Sequence, residues 1–462
     1  MDSADLRRKV KRRFDLQNVS LGVDALTQIV QNVKGKSDNE VDVYVNRLVN
    51  IFEKEQVNDE VITKEILIKC LRVTFGKEMD SDKKFKLINA DEWKKEVYDP
   101  LNKCYKMDTN VCEQAENARY NLIRDHVTNP SLLRIELLYS RSNANVNVLG
   151  MLRRHKANTY AIEDPTGYVK LTFNDAKFEN GLFFEGGIYE FSGVYKNHNL
   201  IIDKIGLPKL KPEPPIAKPR NPWSSRDCII IISDVWLDDP NVLFKFDTIL
   251  DGMSNVYAVI ICGNLLSPNV QGSVPQALSN GFRHLNNIIQ RFDQKFVETK
   301  FIVVPSLEDY PKTQVSPRST IPPSVIKENQ NFYLATNPCK LQCRDQTFII
   351  YRDNIIQKAC RNAVKVPSDI TNIHTRFCET ILSQKHYSPL PLYVTPVIHE
   401  MDHVFHLTHS PDLLILADNF SQYHFKESGR NINFVNPGSF VNSNFDFALY
   451  YPASRNIDLC KC

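Results

Sequence analysis

Five places in this 462-residue chain set polar or acidic residues directly after a short aliphatic run. Asp234-Val235-Trp236 follows Ile229–Ser233, Gly263-Asn264 follows Val256–Cys262, and Ser306-Leu307-Glu308-Asp309 comes one proline after Phe301–Val304. Ala417-Asp418-Asn419-Phe420 follows Leu413–Leu416, and Asn436-Pro437-Gly438-Ser439-Phe440 closes the last run. Such unbroken aliphatic runs are strands buried on both faces, and layered α/β proteins bind ligands beyond the carboxyl ends of their strands. Asp234, Glu308, Asp309 and Asp418 supply oxygen donors of the kind that hold one hard cation. The plainer expectation, which we adopt, is that they cap loops by accepting backbone amides. A second concentration is His399, His403, His406 and His409. The first three have helical spacing and invite a metal, but partly exposed or core-edge side chains are expected. The eleven cysteines are odd in number and none forms a Cys-x-x-Cys pair, so reduced, partly buried thiols are expected.

These groups need a frame. Lys and Arg total 57 against 54 Asp and Glu, a formal net charge of +3, so the chain as a whole does not announce a nucleic-acid binder. No secretory signal or membrane span is read, and the thiols place the chain in cytosol or nucleus. Residues 1–75 read as a helical domain, from Leu6/Val10/Phe14, Val41/Val45/Leu48/Phe52 and Ile62/Ile66/Cys70. The basic residues between Arg7 and Arg13 then fall on a solvated helix face rather than forming a nuclear localisation signal. Residues 76–118 are charged and unpatterned, and read as an irregular linker. Residues 119–210 read as a small barrel, with a hairpin turning through Asp164-Pro165-Thr166-Gly167. Six prolines between Pro208 and Ser225 make a stiff connector over residues 211–225. Residues 226–462 read as an α/β sandwich, with a helix striped by Leu278, Phe282, Leu285 and Ile289 and a surface loop over Pro311–Pro323.

The succession of strand ends resembles the calcineurin-like metallophosphoesterases. Their motifs run in the order Asp-x-His, Gly-Asp, Gly-Asn-His-Asp/Glu and Gly-His-x-His, with Asn-Pro-Gly-Ser closing the core. The resemblance implies that Asp234 stands at the first carboxylate and Trp236 at the first histidine. Asn264 then replaces the carboxylate bridging two metals, Leu307 and Glu308 fall where asparagine and histidine belong, and Asp418 and Phe420 take the last two histidines. A neutral amide bridges metals poorly, and neither an indole nor a phenyl ring ligates. No cofactor, no metal and no phosphoesterase activity are therefore expected. An indole at position 236 is expected to fill the vacated space and donate its N–H to Asp234 or Asp418.

An inactive domain of this kind behind an OB fold resembles the B subunits of replicative DNA polymerases. Ser233-Asp234-Val235-Trp236-Leu237-Asp238, Thr336-Asn337-Pro338-Cys339, Thr380-Ile381-Leu382-Ser383-Gln384 and Pro389-Leu390-Pro391-Leu392-Tyr393-Val394 are similar to the epsilon-type members. The resemblance implies a non-catalytic nuclear subunit that binds the C-terminal region of a catalytic subunit. It also implies a tether, through the first helices, to the GINS component of the replicative helicase, with DNA met as part of the holoenzyme. A B subunit of another replicative polymerase is one alternative. A single-strand nucleic-acid binder is another, with Tyr160, Phe173, Tyr189 and Tyr195 as stacking platforms and Arg153, Arg154, His155 and Lys156 as charge. Barrel-filling aromatics and a solvated basic turn are the expectation against it.

Overall fold

The computed structural model describes residues 3–16, 19–33, 41, 44–45, 48–49, 52, 61–63, 66–67, 85–99, 104–107, 115–156, 159–212, 223–292, 295–326, 332–365, 372–427, 429 and 432–462. The chain divides into two compact units, Met1–Lys86 and Leu87–Cys462. In the first, helices Ser3–Asp15 and Val23–Val33 pack through Leu6, Val10, Phe14, Ala25, Leu26 and Ile29. Val41, Val45, Leu48, Phe52 and Ile62 join that core, while Arg7, Arg8, Lys11 and Arg12 face outward. Cys70 lies outside the described residues. No described helix is long and apolar enough to cross a membrane.

The second unit begins with a departure from expectation. Of residues 76–118, read as a linker, the described ones are ordered into a 3-10 turn at Ala90–Glu92, an antiparallel pair Glu96–Asp99 with Cys104–Met107, and helix Ala115–His126. Distant partners hold this charged stretch. The Lys340 ammonium lies 4.0 Å over the Trp93 ring, and Ala90 N–H donates to Thr336 Oγ1 at 2.8 Å.

Five strands then close a barrel: Ala144–Lys156, Thr159–Asp164, Gly167–Phe178, Asn199–Gly206 and Ile188–Lys196, the last returning to the first. All of these pairings are antiparallel except Gly167–Phe178 with Asn199–Gly206. Closure leaves no open edge between them. The expected hairpin is present, its turn fixed by Asp164 accepting Thr166 N–H at 2.7 Å and Ile135 N–H at 2.9 Å. Gln384 of the α/β layer docks on the barrel backbone, accepting Ile188 N–H and donating to Ile188 C=O, each at 2.7 Å.

The proline-rich connector lies outside the described residues over 213–222. Trp223 begins the next module, donating to Asp345 at 3.1 Å beneath the Arg344 guanidinium, 4.4 Å from its ring. Two mixed sheets follow. The first runs Phe332–Leu334, Lys300–Val304, Val256–Cys262, Cys228–Ser233, Asp446–Tyr451, Asn456–Lys461. The second includes, in order, Cys339–Cys343, Gln346–Arg352, Leu413–Ala417, Ile432–Asn436 and Tyr423–Glu427. Helices Pro240–Gly252 and Val274–Arg291 cover the first, burying Phe246, Leu250, Leu278, Phe282 and Leu285. Helices Ile355–Arg361 and Ile373–Gln384 cover the second through Ile356, Phe377 and Ile381. Between the sheets Phe348 meets Tyr450 edge-on at 5.5 Å, and Tyr450 Oη donates to Gln346 at 2.9 Å.

One expectation for this module needs correction. The Pro311–Pro323 segment is not simply a surface loop. Arg318 is buried within it and donates to the carbonyls of Asp309 at 2.9 Å and Pro311 at 3.2 Å, which satisfies backbone that would otherwise be stranded. Asn456–Lys461, which carries Cys460, forms the last strand of the first sheet.

Candidate functional site

The carboxyl ends of six buried strands converge. After Cys228–Ser233 the chain turns at Asp234 in the left-handed region, φ 60°, a conformation that aspartate tolerates better than most residues. Asp234 Oδ1 accepts the Asn264 N–H at 2.7 Å. Asp309 accepts two backbone N–H groups, from Leu265 and Ser306, each at 2.7 Å. Burial pushes its carboxyl pKa up, against these donors and Arg318. Asp418 accepts N–H from Ile356 and Phe420, each at 2.9 Å, and burial pushes its pKa up to about 6. Asn436 ties the closing segment to this loop, accepting Asp418 N–H at 3.0 Å and Gly438 N–H at 3.1 Å. Gly438, at φ 77°, makes the turn that a side chain would strain. The acidic residues thus spend their lone pairs largely on backbone amides, as the capping reading holds.

At the centre stands a residue that sequence reasoning missed. Arg352 ends the strand Gln346–Arg352 and is only 2% exposed. Its guanidinium donates to Asp234 Oδ1 at 2.8 Å, Asn419 Oδ1 at 2.9 Å, Asn354 Oδ1 at 2.9 Å, the Ala417 carbonyl at 3.3 Å and the Gly263 carbonyl. Although burial disfavours the charge, Asp234, with help from Asp418 and Cys262, offsets it and raises the Arg352 pKa.

The other expected residues lie around this centre. Asn264 is half-buried, its Oδ1 accepting Ser306 Oγ–H at 2.5 Å. Leu307 is half-buried, and Glu308 is exposed and paired with Lys312 rather than turned to the strand ends. Phe420 packs on the second core, 6.5 Å from the Tyr423 ring. Trp236 packs partly buried against the first core, but its Nε1 has no hydrogen-bond partner. The expected donation to Asp234 or Asp418 is therefore wrong: Asp234 Oδ1 is taken up by Arg352 and Asn264, Asp418 is held by backbone N–H groups, and the indole N–H reaches neither carboxylate.

The histidines are largely the partly exposed or core-edge side chains expected, although their helix is not an α-helix. Residues His399–Phe405 form a 3-10 helix, and of the four histidines only His406 enters a cluster, with Asp402 and the unforeseen His386. His386 Nε2 lies 3.4 Å and His406 Nε2 3.0 Å from the Asp402 carboxylate. His386 Nδ1 accepts Ser388 N–H at 3.0 Å, so its proton sits on Nε2 and points at Asp402. Burial pushes the His386 pKa down to about 4, keeping the ring neutral. A metal-binding imidazole needs the opposite arrangement, an unprotonated nitrogen toward the ion and an N–H toward an acceptor. This trio fits a hydrogen-bonded clamp and does not fit a metal. His403 bonds Trp93 C=O at 2.8 Å, while His409 is exposed beside Glu96. His399 is exposed at the rim of a cavity of about 440 Å³ that Arg119, Arg153 and Asp402 also line.

In the barrel, Tyr189 and Tyr195 are buried and Phe173 and Tyr160 half-buried, stacked edge-on 5.8 Å apart. Arg153 is neutralised by Glu116 and Glu163. These side chains fill and brace the barrel.

Comparison with known proteins matches residues 84–209 to the family model "DNA polymerase epsilon subunit 2-like, OB-fold domain". Residues 229–426 match the family model of the B subunit of DNA polymerases alpha and epsilon. The chain is 27% identical to the probable DNA polymerase epsilon subunit 2 of Caenorhabditis elegans, covering 98% of this chain and 94% of that one. It is 26% identical to DNA polymerase epsilon subunit 2 of Mus musculus and 25% to that of Homo sapiens, each over 99% of this chain and 98% of the relative. The barrel family model begins at residue 84, taking in the ordered stretch that sequence reasoning assigned to a linker.

Proposed function

The chain belongs to the family of DNA polymerase epsilon B subunits, and from that premise we propose that it is the polymerase's non-catalytic scaffold. It is an accessory subunit of the nuclear replicative enzyme, in complex with the catalytic subunit. On this reading the barrel and the α/β module, a calcineurin-like phosphoesterase frame, together grip the C-terminal region of the catalytic subunit. The helices of residues 1–75 reach the replicative helicase through GINS, and DNA is met as part of the holoenzyme. The observation that supports a non-catalytic role is Arg352, whose guanidinium lies against Asp234, Gly263, Ala417 and Asn419 at the strand ends. Two-metal phosphoester hydrolysis needs bridging and terminal ligands there; Trp236 and Phe420 offer none, and the neutral amide of Asn264 bridges poorly.

Two measurements test this. With manganese present, the purified chain hydrolyses neither a phosphomonoester nor a phosphodiester. Turnover that disappears in Asp234→Ala would overturn the scaffold reading. Deleting residues 1–75 leaves binding to the catalytic subunit intact and removes binding to GINS. Simultaneous loss of both would show that the segment is not an independent tether.

A further inference from the structure

We propose that the Arg352 guanidinium is the resident cation of the crevice, taking over both tasks of a metal pair: neutralising the strand-end oxygens and clipping the two sheets together. The inference starts where the phosphoesterase resemblance fails, because the donor set at these strand ends fits a guanidinium and not two divalent ions. A guanidinium carries five N–H donors in one plane. Here all five are matched: Nε–H with Gly263 C=O, one terminal nitrogen with Asn354 Oδ1 and Ala417 C=O, the other with Asp234 Oδ1 and Asn419 Oδ1. Four of the five acceptors are neutral carbonyl oxygens, and the fifth is a single carboxylate, so one positive charge matches the set it bonds. Two divalent ions would bring four charges, and they would need a bridging anion that the neutral amide of Asn264 cannot supply, while Asp309 and Asp418 are occupied by backbone N–H groups.

The placement also explains the second task. Asp234 and Gly263 leave strands of the first sheet, whereas Arg352 and Ala417 end strands of the second. The side chain therefore crosses the sandwich at its ligand-binding end. Asn337 secures it from behind, accepting the Arg352 N–H at 3.0 Å and donating to the Arg352 carbonyl at 2.8 Å. Truncating Arg352 should leave a slot lined by five oxygens and shaped for a free guanidinium ion, which is a binding site no divalent metal can replace.

The experiment is chemical rescue on the full chain, with thermal unfolding as readout. Arg352→Ala is expected to lower Tm by roughly 10 °C, since it strands a buried carboxylate and several carbonyls. Millimolar methylguanidinium should recover part of that loss in a saturable way. Methylammonium or manganese should not, and the wild-type chain should respond to none of them. Arg352→Lys keeps the charge with three donors, and should lie between wild type and alanine. If the alanine variant does not fold, the lysine variant decides. A lysine variant as stable as wild type would overturn the proposal. So would rescue of the alanine variant by methylammonium or manganese, failure of methylguanidinium to rescue it, or saturable manganese binding by the wild-type chain, measured by calorimetry. These outcomes concern the crevice alone, and are distinguishable from loss of binding to the catalytic subunit.

Discussion

Gly263→Ala should destabilise the α/β module heavily, although it adds one methyl group. A Cβ at this position would lie inside van der Waals contact of Asp309 Oδ2 and 2.5 Å from the Ser306 backbone nitrogen. The nitrogen belongs to a buried loop, and Asp309 is fixed by its two 2.7 Å bonds to Leu265 and Ser306 N–H. Displacing the carboxylate breaks both. Hydrogen bonds to a charged acceptor contribute about 1.5–3 kcal/mol each, so the expected loss is roughly 3–5 kcal/mol, a large part of a typical domain's stability. Urea unfolding followed by tryptophan fluorescence reads this directly. A double-mutant cycle with Asp309→Ala locates the cause. Once the carboxylate is gone the methyl group meets less, and a coupling of at least about 1 kcal/mol is expected. A loss under about 1 kcal/mol in the single variant, or strict additivity in the cycle, would refute the reasoning.

Other perturbations separate the remaining parts of the account. Asp418, with its pKa raised by burial from 3.8 to about 6, contributes stability that is fully present below its unfolded pKa and lost as pH rises through the folded value. The stability of wild type relative to Asp418→Ala should therefore fall by up to roughly 3 kcal/mol between about pH 4 and 6.5; a flat difference in pH-dependent unfolding would contradict this. Trp236→Phe should change stability by less than about 1 kcal/mol, because the indole N–H has no partner to lose, while Trp236→Ala costs about 2 kcal/mol through lost packing. Equal costs in urea unfolding would mean that the N–H is bonded after all. Gln384→Leu leaves both backbone groups of Ile188 without their partner at the join of barrel and α/β layer, and should cost roughly 3 kcal/mol. An unchanged unfolding midpoint would show that the two modules do not depend on this bridge.

What was legible in the sequence follows from what holds each element. Ile229–Ile232 and Val256–Ile261 are strands because their residues are buried on both faces, a requirement that the residue types themselves carry. The hairpin at Asp164–Gly167 is equally local, since the turn chemistry and the bonds that fix it are a few residues apart. Glu96–Asp99 and Cys104–Met107 have no such signature. Their neighbourhood is held by Lys340 and by His403, which reaches Trp93 across more than three hundred residues of chain. In the candidate site the carboxylates were readable as strand-end residues, but their central partner was not. Arg352 directly follows Phe348–Tyr351, so reading the residue after each buried strand reaches it. A strand-end arginine nevertheless reads as solvent-facing until the ends of three other strands are brought around it. The same limit hid His386, whose meeting with Asp402 and His406 depends on a loop closing on itself.

The central claim, that this chain serves DNA polymerase epsilon as a scaffold, is tested most directly by co-expression with the catalytic subunits of polymerases alpha, delta and epsilon in turn, followed by purification through the chain itself. The account predicts a stable complex, one copy of each, with the epsilon catalytic subunit, retained when that subunit is cut down to its C-terminal region. A stable complex with the alpha or delta subunit in its place, or a chain that purifies alone in all three cases, would contradict it.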